Sequence, residues 1–340
     1  MKRIKIAQIG LGHDHAQNML VSLTKQSDIF EFAGLAMPEN EVSDFAADAE
    51  KYPDVRRMTV EEIFAIPGLD AVAVETEDEK LAKYALLAAR HGKHIFMDKP
   101  GGFDHELFKR LVRTAKEKKL VFQTGYMYRF NPAVKDIFER VKRGELGEIF
   151  SVEAHMSCMH SPEKRQWLEK FPGGMMCFLG CHLIDLIVQL QGVPEEIVPF
   201  NTCTGIDGVT ATDFGMAVLK YKNGASFVKV CACEPGGYYR RQLVVCGSKG
   251  TVELKPFEAA VEGAGSLKYT EICEVDGKDA VASCWSDTRR FSRTEDFDRY
   301  DGMLSTFAAT VRGEMQNPYT YEYEEKLHRI LLAACGEKTD

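Results

Sequence analysis

The sequence predicts two domains of different class. Residues 1–124 read as an α/β Rossmann domain, and residues 125–340 as an α+β domain with a large, mostly antiparallel open sheet. Three observations carry this. Short apolar strands alternate with helices through the first third of the chain. A glycine turn, Gly10-Leu11-Gly12, follows the first strand and opens the first helix. After Gly125 longer β segments take over, separated by turn signals such as Asn223-Gly224 and Asp276-Gly277.

In chain order, Ile4–Ile9 is an apolar strand, Ala16–Thr24 a helix and Phe30–Ala36 a second strand. Glu41–Lys51 reads as a helix and Val55–Met58 as a short strand. Thr59-Val-Glu-Glu62 is a capping-box pattern that opens the next helix. Ala71–Val74 is a buried strand. The helix Lys80–His91 stops at Gly92, a residue suited to the left-handed position after a helix end. Ile95–Met97, Asp104–Lys118 and Val121–Thr124 complete a strand–helix–strand unit. Right-handed crossovers turn such an alternation into a doubly wound parallel sheet. The second domain starts with a helix at 132–143 and a turn at Gly144–Gly147. Strands follow at 149–156, 215–221, 226–233, 242–246, 251–254 and 269–274. Two helices, near 302–312 and 322–335, close the chain, and the last is expected to pack back on the first domain.

Composition excludes several functions. No apolar run reaches the roughly 18–20 residues of a membrane helix, so no membrane partner is expected. The net charge is −8 with no basic block, which argues against nucleic acid as a ligand. Met1–Gly10 runs straight into a strand and reads as no signal peptide. The ten cysteines show no C-x-x-C spacing. Most sit in apolar patterns, as expected of a reduced, cytoplasmic chain. No metal is expected, although Cys177, Cys181 and His182 lie close in sequence.

Gly10 permits the tight turn, and Gly12 lets backbone N–H groups approach a pyrophosphate. His15 stands where the third glycine of G-x-G-x-x-G would be. At the end of the second strand Met37 replaces the usual acidic ribose reader. Glu39 and Glu41 follow, and either would repel a 2′-phosphate, so NAD is favoured over NADP. Asp98-Lys99-Pro100 follows a buried parallel strand. A lysine there can stabilise the alkoxide that develops when a hydroxyl is oxidised, whereas taken alone it is a solvated loop residue. Farther on, FPGGMMCFLGCHLID at 171–185 is apolar on nearly every face, so its helix is buried. Phe178, His182, Asp185 and Gln189 share one stripe of it. His182 and Asp185 need polar partners there and could serve each other.

The glycine turn, Asp98-Lys99-Pro100, Gly125-Tyr126-Met127-Tyr128-Arg129-Phe130-Asn131-Pro132, Gly173-Gly174…His182…Asp185 and Gly247-Ser248-Lys249-Gly250-Thr251 occur in order. Together they resemble the glucose–fructose oxidoreductase/inositol dehydrogenase (Gfo/Idh/MocA) family along nearly the whole chain. The family's E-K-P appears here as D-K-P. The resemblance implies NAD(P)-dependent oxidation or reduction of a sugar, polyol, inositol or glycoside. It also implies homodimers or homotetramers built partly through the open sheet. It assigns the functional lysine to Lys99 and the histidine of GGxxxDxGxHxxD to His182. The cofactor is then expected on Gly10, Gly12, His13, His15, Met37, Thr76, Asp98, Lys99 and Pro100. Substrate contacts are expected among Tyr126, Arg129, Asn131, His155, Trp167, Phe178 and Asp185, with Tyr128 pointing away. Asp185 is read either as the orienter of His182 or as a ligand contact. Phe178 stands where the family pattern has an aspartate. That departure keeps open a hydrolase or lyase that recycles bound NAD, and a non-catalytic sugar sensor is a third possibility.

Overall fold

The computed structural model describes residues 2–38, 41, 55–264, 266–282 and 287–338. The chain divides into two compact units, Met1–Met127 with Tyr300–His328, and Tyr128–Arg299 with Arg329–Asp340. The helix expected over 41–51 lies outside the described residues, except for Glu41.

The first unit carries β1 (Ile4–Ile9), α1 (Ala16–Lys25), β2 (Phe30–Ala36), β3 (Arg57–Met58), α2 (Val60–Phe64), β4 (Ala71–Val74), α3 (Leu81–Arg90), β5 (His94–Met97), α4 (His105–Glu117) and β6 (Phe122–Thr124). The six strands are parallel in the order β3-β2-β1-β4-β5-β6. Every residue of β4 is buried, as expected of a strand covered on both faces. Thr59 and Glu62 close their capping box through N–H···O bonds of 3.1 and 2.7 Å. The strand order reverses direction between β1 and β4, so both strands end at the topological switch point, where open α/β sheets bind ligands.

The second unit contains α5 (Pro132–Lys142), β7 (Ile149–His155), α6 (Pro162–Trp167), α7 (Cys181–Gln191), β8 (Glu196–Thr202), β9 (Phe214–Tyr221), β10 (Gly224–Cys231), β11 (Gln242–Gly247), β12 (Gly250–Leu254), a small β13–β14 ribbon (Ala259–Ala260, Lys268–Tyr269), β15 (Glu271–Asp276), α8 (Gly277–Ala282) and β16 (Arg290–Arg293). Its eight-stranded sheet runs β16-β15-β12-β11-β7-β10-β9-β8 and is antiparallel except between β10 and β7. Two strands absent from the sequence reading, β8 and β16, are the two edges. Pro199 interrupts the pattern of β8, and an edge strand tolerates the missing donor. A π-helical turn, Met176–Gly180, precedes α7 and widens the helix there.

The last two helices are α9 (Asp301–Val311), in the first unit, and α10 (Tyr321–Ala334), which belongs to it through His328. In α9, Phe307 meets Phe96 edge-on at 5.8 Å, and the Met303 carbonyl accepts from Gln123 Nε2 at 3.2 Å. His328 stacks on Phe108 at 4.1 Å, and its Nε2 donates to the Gly102 carbonyl at 3.1 Å. Its Nδ1 lies 3.0 Å from His105 Nδ1, so one ring must offer the proton and the other the lone pair.

Burial holds the His328 pKa down at about 3; the bond to the Gly102 carbonyl opposes this, the neighbouring His105 adds to it, and Asp104 opposes it least. The folded state therefore binds fewer protons than the unfolded chain between about pH 6.5 and 3, and stability falls as pH drops through that window. Acidification from pH 7 to 4 is expected to cost up to about 3 kcal/mol in urea unfolding. His328→Gln should flatten that slope; an unchanged slope would show that His328 does not set it.

Candidate functional site

The first site forms where β1 and β4 end. Gly10 has φ +97°, and a Cβ there would lie 2.5 Å from the Thr76 backbone nitrogen. A Cβ on Gly12 would lie 2.7 Å from the Glu77 nitrogen. Only glycine fits either place, so the turn keeps its backbone open. An anion already marks what that backbone attracts. Glu41 Oε1 accepts from Leu11 N–H at 2.7 Å and Gly12 N–H at 3.0 Å, and its Oε2 accepts from Glu77 N–H at 3.2 Å. Burial raises the Glu41 pKa although these donors favour the charged form. A carboxylate seated on two N–H groups ahead of α1 is a stand-in for a phosphate, so the turn fits a dinucleotide. Met37 is half-buried and packs on the Leu11, Ala16, Leu20 and Leu35 cluster. Thr76 is buried with its hydroxyl on the Glu77 carbonyl at 3.2 Å.

Beneath the turn lies a buried group of charges. His13, Glu75, Asp78, Asp98 and Lys99 are each at most 5% exposed, and Pro100 is buried beside them. Taken alone, Lys99 had the reading of a solvated loop residue; the structure overturns that, because β5 ends inside the unit. The Lys99 carbonyl accepts from His13 Nε2 at 2.9 Å, and its N–H donates to Asp98 Oδ1 at 2.6 Å. Asp98 Oδ2 lies 3.4 Å from His13 Nδ1 and 3.2 Å from His15 Nδ1. Burial opposes the Asp98 charge, yet His13, His15 and Lys99 hold its pKa well below the carboxylate range. Burial also opposes a charged His13, but Asp98 and Asp78 outweigh it and raise the pKa. For His15 burial wins and the pKa falls. Burial and then the facing Asp98 push Glu75 well upward.

The second unit places His182 on α7, 2% exposed, with Tyr128 edge-on at 5.0 Å. Tyr128 therefore does not point away. Its ring stacks on Phe257 at 4.9 Å, and its hydroxyl lies 3.2 Å from both Glu258 Oε2 and Arg241 Nη1. Burial and then Glu258 raise its pKa. Glu258 did not stand out in sequence, because α5 and most of the sheet's strands separate it from Tyr128 along the chain.

Asp185 has partners beyond those expected. Arg129 donates to it twice, Nε to Oδ2 at 3.0 Å and Nη2 to Oδ1 at 2.9 Å, and Gln189 Nε2 adds a bond of 2.9 Å. Both members of the ion pair are buried, which makes them a structural brace of α7. Asn131 is likewise committed: Oδ1 caps α5 at Ala133 N–H (2.9 Å) and Nδ2 donates to Thr270 Oγ1 at 2.8 Å. His155 Nε2 meets Ser157 Oγ at 2.8 Å and Glu234 Oε2 at 3.2 Å. Tyr126, in the first unit, is 2% exposed. Phe178 is 7% exposed in a cluster of rings, with Phe171 at 5.4 Å and Trp167 at 5.5 Å, both edge-on. Lys164 Nζ sits 3.5 Å above the Trp167 ring and 5.3 Å from that of Phe178.

A doubly wound parallel sheet, a glycine turn at its switch point and a buried Asp-Lys pair at the end of β5 define a Rossmann-type nucleotide-dependent oxidoreductase. More particularly, the chain belongs to the GFO/IDH/MocA family: residues 4–126 match its oxidoreductase domain with an NAD-binding Rossmann fold, and residues 134–253 its C-terminal domain. It is similar to scyllo-inositol 2-dehydrogenase (NAD(+)) of Bacillus subtilis, 26% identical over 265 residues, which cover 74% of this chain and 73% of that protein. It is also similar to 2,7-anhydro-N-acetylneuraminate hydratase of Escherichia coli, 23% identical over 241 residues, with 68% and 62% covered. Among solved structures, aldose-aldose oxidoreductase from Caulobacter crescentus has the same fold, with a TM-score of 0.78, 17% identity and 98% of both chains covered.

Asp185→Asn leaves Arg129 buried without its counter-charge. It is expected to cost about 3–5 kcal/mol in urea unfolding, while Arg129→Met with Asp185→Leu recovers most of that. A loss below about 1 kcal/mol for Asp185→Asn would remove the pair as the brace of α7.

Proposed function

We propose that the protein is an NAD-dependent dehydrogenase acting on a carbinol carbon of a sugar, polyol, inositol or glycoside. The observation that carries this is Lys99: an ammonium side chain buried at the end of β5, fixed through its backbone by Asp98 and His13. Its role is to hydrogen-bond the substrate oxygen and stabilise the alkoxide. His182 takes the hydroxyl proton on oxidation and returns it on reduction. When bound at the glycine turn, with Gly10, Gly12 and Thr76 shaping its seat, NAD supplies the hydride acceptor. The inositol and aldose relatives support the substrate class.

Preference for NAD over NADP is supported by the stretch after β2, where Met37 and Glu41 offer no cation to a 2′-phosphate. A homodimer or homotetramer is supported by large apolar side chains that sheet strands leave exposed, Phe150, Phe200 and Phe291. Cytoplasmic residence is supported by the apolar setting of the cysteines, of which Cys158, Cys177, Cys181 and Cys335 are buried in the manner of small hydrophobes. Among the described residues no helix is long and apolar enough to cross a membrane.

Phe178, in place of a carboxylate, favours a second reading in which bound NAD is recycled during hydration or elimination of a glycoside; the hydratase relative supports it. Release of NADH at steady state marks the dehydrogenase, and turnover without release marks the recycling enzyme.

Lys99→Ala and His182→Ala are each expected to lower kcat at least about 100-fold in a screen of polyols, hexoses, inositols and glycosides. Near-normal turnover in either variant would exclude that residue from the mechanism. NAD should bind at least about tenfold more tightly than NADP, and Glu41→Ala should narrow the gap. Tighter NADP binding by the unaltered protein would overturn the preference.

A further inference from the structure

We propose that the buried group under the dinucleotide turn is a binding site for one first-row divalent cation, of the zinc or manganese kind, held by His13, His15, Asp98 and Glu75. One ligand atom from each of His13, His15 and Asp98 lies within 4.8 Å of the others. Two of the separations match a coordination shell. Ions of this kind bind imidazole nitrogen and carboxylate oxygen at about 2.0–2.2 Å, which sets tetrahedral ligand-to-ligand edges of about 3.3–3.5 Å. His15 Nδ1 lies 3.2 Å from Asp98 Oδ2, and His13 Nδ1 lies 3.4 Å from it.

Two further observations point to a cation. Glu75 is 0% exposed, nothing but the facing Asp98 carboxyl is within hydrogen-bond reach of its oxygens, and Oε2 lies 4.0 Å from His13 Nδ1. An unsatisfied buried carboxylate is costly, and a metal would satisfy it. His13 is already oriented as a ligand: Nε2 donates to the Lys99 carbonyl at 2.9 Å, which turns the Nδ1 lone pair toward Asp98 and Glu75. Metal-bound histidines are commonly fixed by this outer hydrogen bond to a carbonyl. The His15 backbone N–H also reaches that Nδ1, at 3.1 Å, and would yield to the ion.

His15, with 19% of its side chain exposed, provides a route for the ion. Two imidazoles with two carboxylates suit zinc or manganese, and the absence of thiolate disfavours softer ions. The ion would not use the N–H groups of Leu11 and Gly12 at the glycine turn.

The full-length protein should be purified without chelators and its metal content measured by mass spectrometry, then stripped and titrated with Zn²⁺ and Mn²⁺. About one equivalent per chain is expected, with Zn²⁺ binding at micromolar or tighter dissociation constants and a rise in Tm on binding. Glu75→Gln and His15→Asn should each weaken Zn²⁺ binding at least tenfold, with folding checked by circular dichroism. Co²⁺ in the unaltered protein should give the strong visible absorption of a tetrahedral ion, a readout that needs no variant. The proposal is overturned if the purified protein holds no metal and Zn²⁺ and Mn²⁺ bind no tighter than about 100 μM, the outcome expected if protons balance the carboxylates. It is equally overturned if folded Glu75→Gln and His15→Asn proteins both bind Zn²⁺ as the unaltered protein does.

Discussion

The first unit depends on how closely the ends of β1 and β4 approach. Gly10 rests on the Thr76 backbone, and no side chain larger than hydrogen fits between them. That contact leaves the N–H groups of Leu11 and Gly12 uncovered by side chains, which is why Glu41 can settle on them. It also brings His13 over the end of β4, with its N–H on the Glu75 carbonyl at 3.1 Å. His13 in turn reaches Asp98 and the Lys99 carbonyl at the end of β5. One tight backbone crossing thus ties the turn that accepts an anion to the strand end that presents the lysine.

Asp98 carries the second half of that linkage. Burial alone would keep a carboxyl neutral, but the surrounding cations and the Lys99 N–H favour the charged form. Because Asp98 is committed to its own neighbour's backbone and to two histidines, the conformation of the Asp98-Lys99 segment is fixed independently of what the Lys99 side chain binds. The second unit solves an equivalent problem differently. There the helix bearing His182 is apolar on almost every face, so its one acidic residue is neutralised by Arg129 from the segment just before α5. The bidentate geometry fixes the face that α7 presents.

Most of the fold was legible because burial writes itself into sequence. A parallel strand covered on both faces reads as a short apolar run, as in Ala71–Val74, and its capping and turn residues mark the boundaries. The legibility ended where burial was partial: β8 and β16 are sheet edges with mixed patterns. In the sites, the glycine turn and Asp98-Lys99-Pro100 were readable as local motifs. Pairings across the fold were not. Nothing near Glu75 in sequence says that it faces His13, and nothing near Asp185 says that Arg129 pairs with it. Asn131 was read as a ligand contact although its position directly before Pro132 is a helix cap, a local signal that was available. Glu41 was legible as a repulsive charge, but not as a residue seated on the turn itself.

The replacement of a carboxylate by Phe178 makes physical sense only together with its neighbours. Phe171 and Trp167 present their edges to it, and His160 lies at 6.4 Å. A carboxylate at that place would be taken out of water among aromatic rings, at a cost of several kcal/mol. Its nearest named cation is Lys164, and that ammonium is already placed over Trp167. The π turn at Met176–Gly180 widens the backbone where Phe178 emerges, and so admits a larger side chain without displacing α7. The change is therefore one of environment and not of a single residue: four rings and a lysine form a region that prefers an apolar face or a delocalised ring to an isolated negative charge. Under the proposed function, the acid–base work rests on groups outside that region.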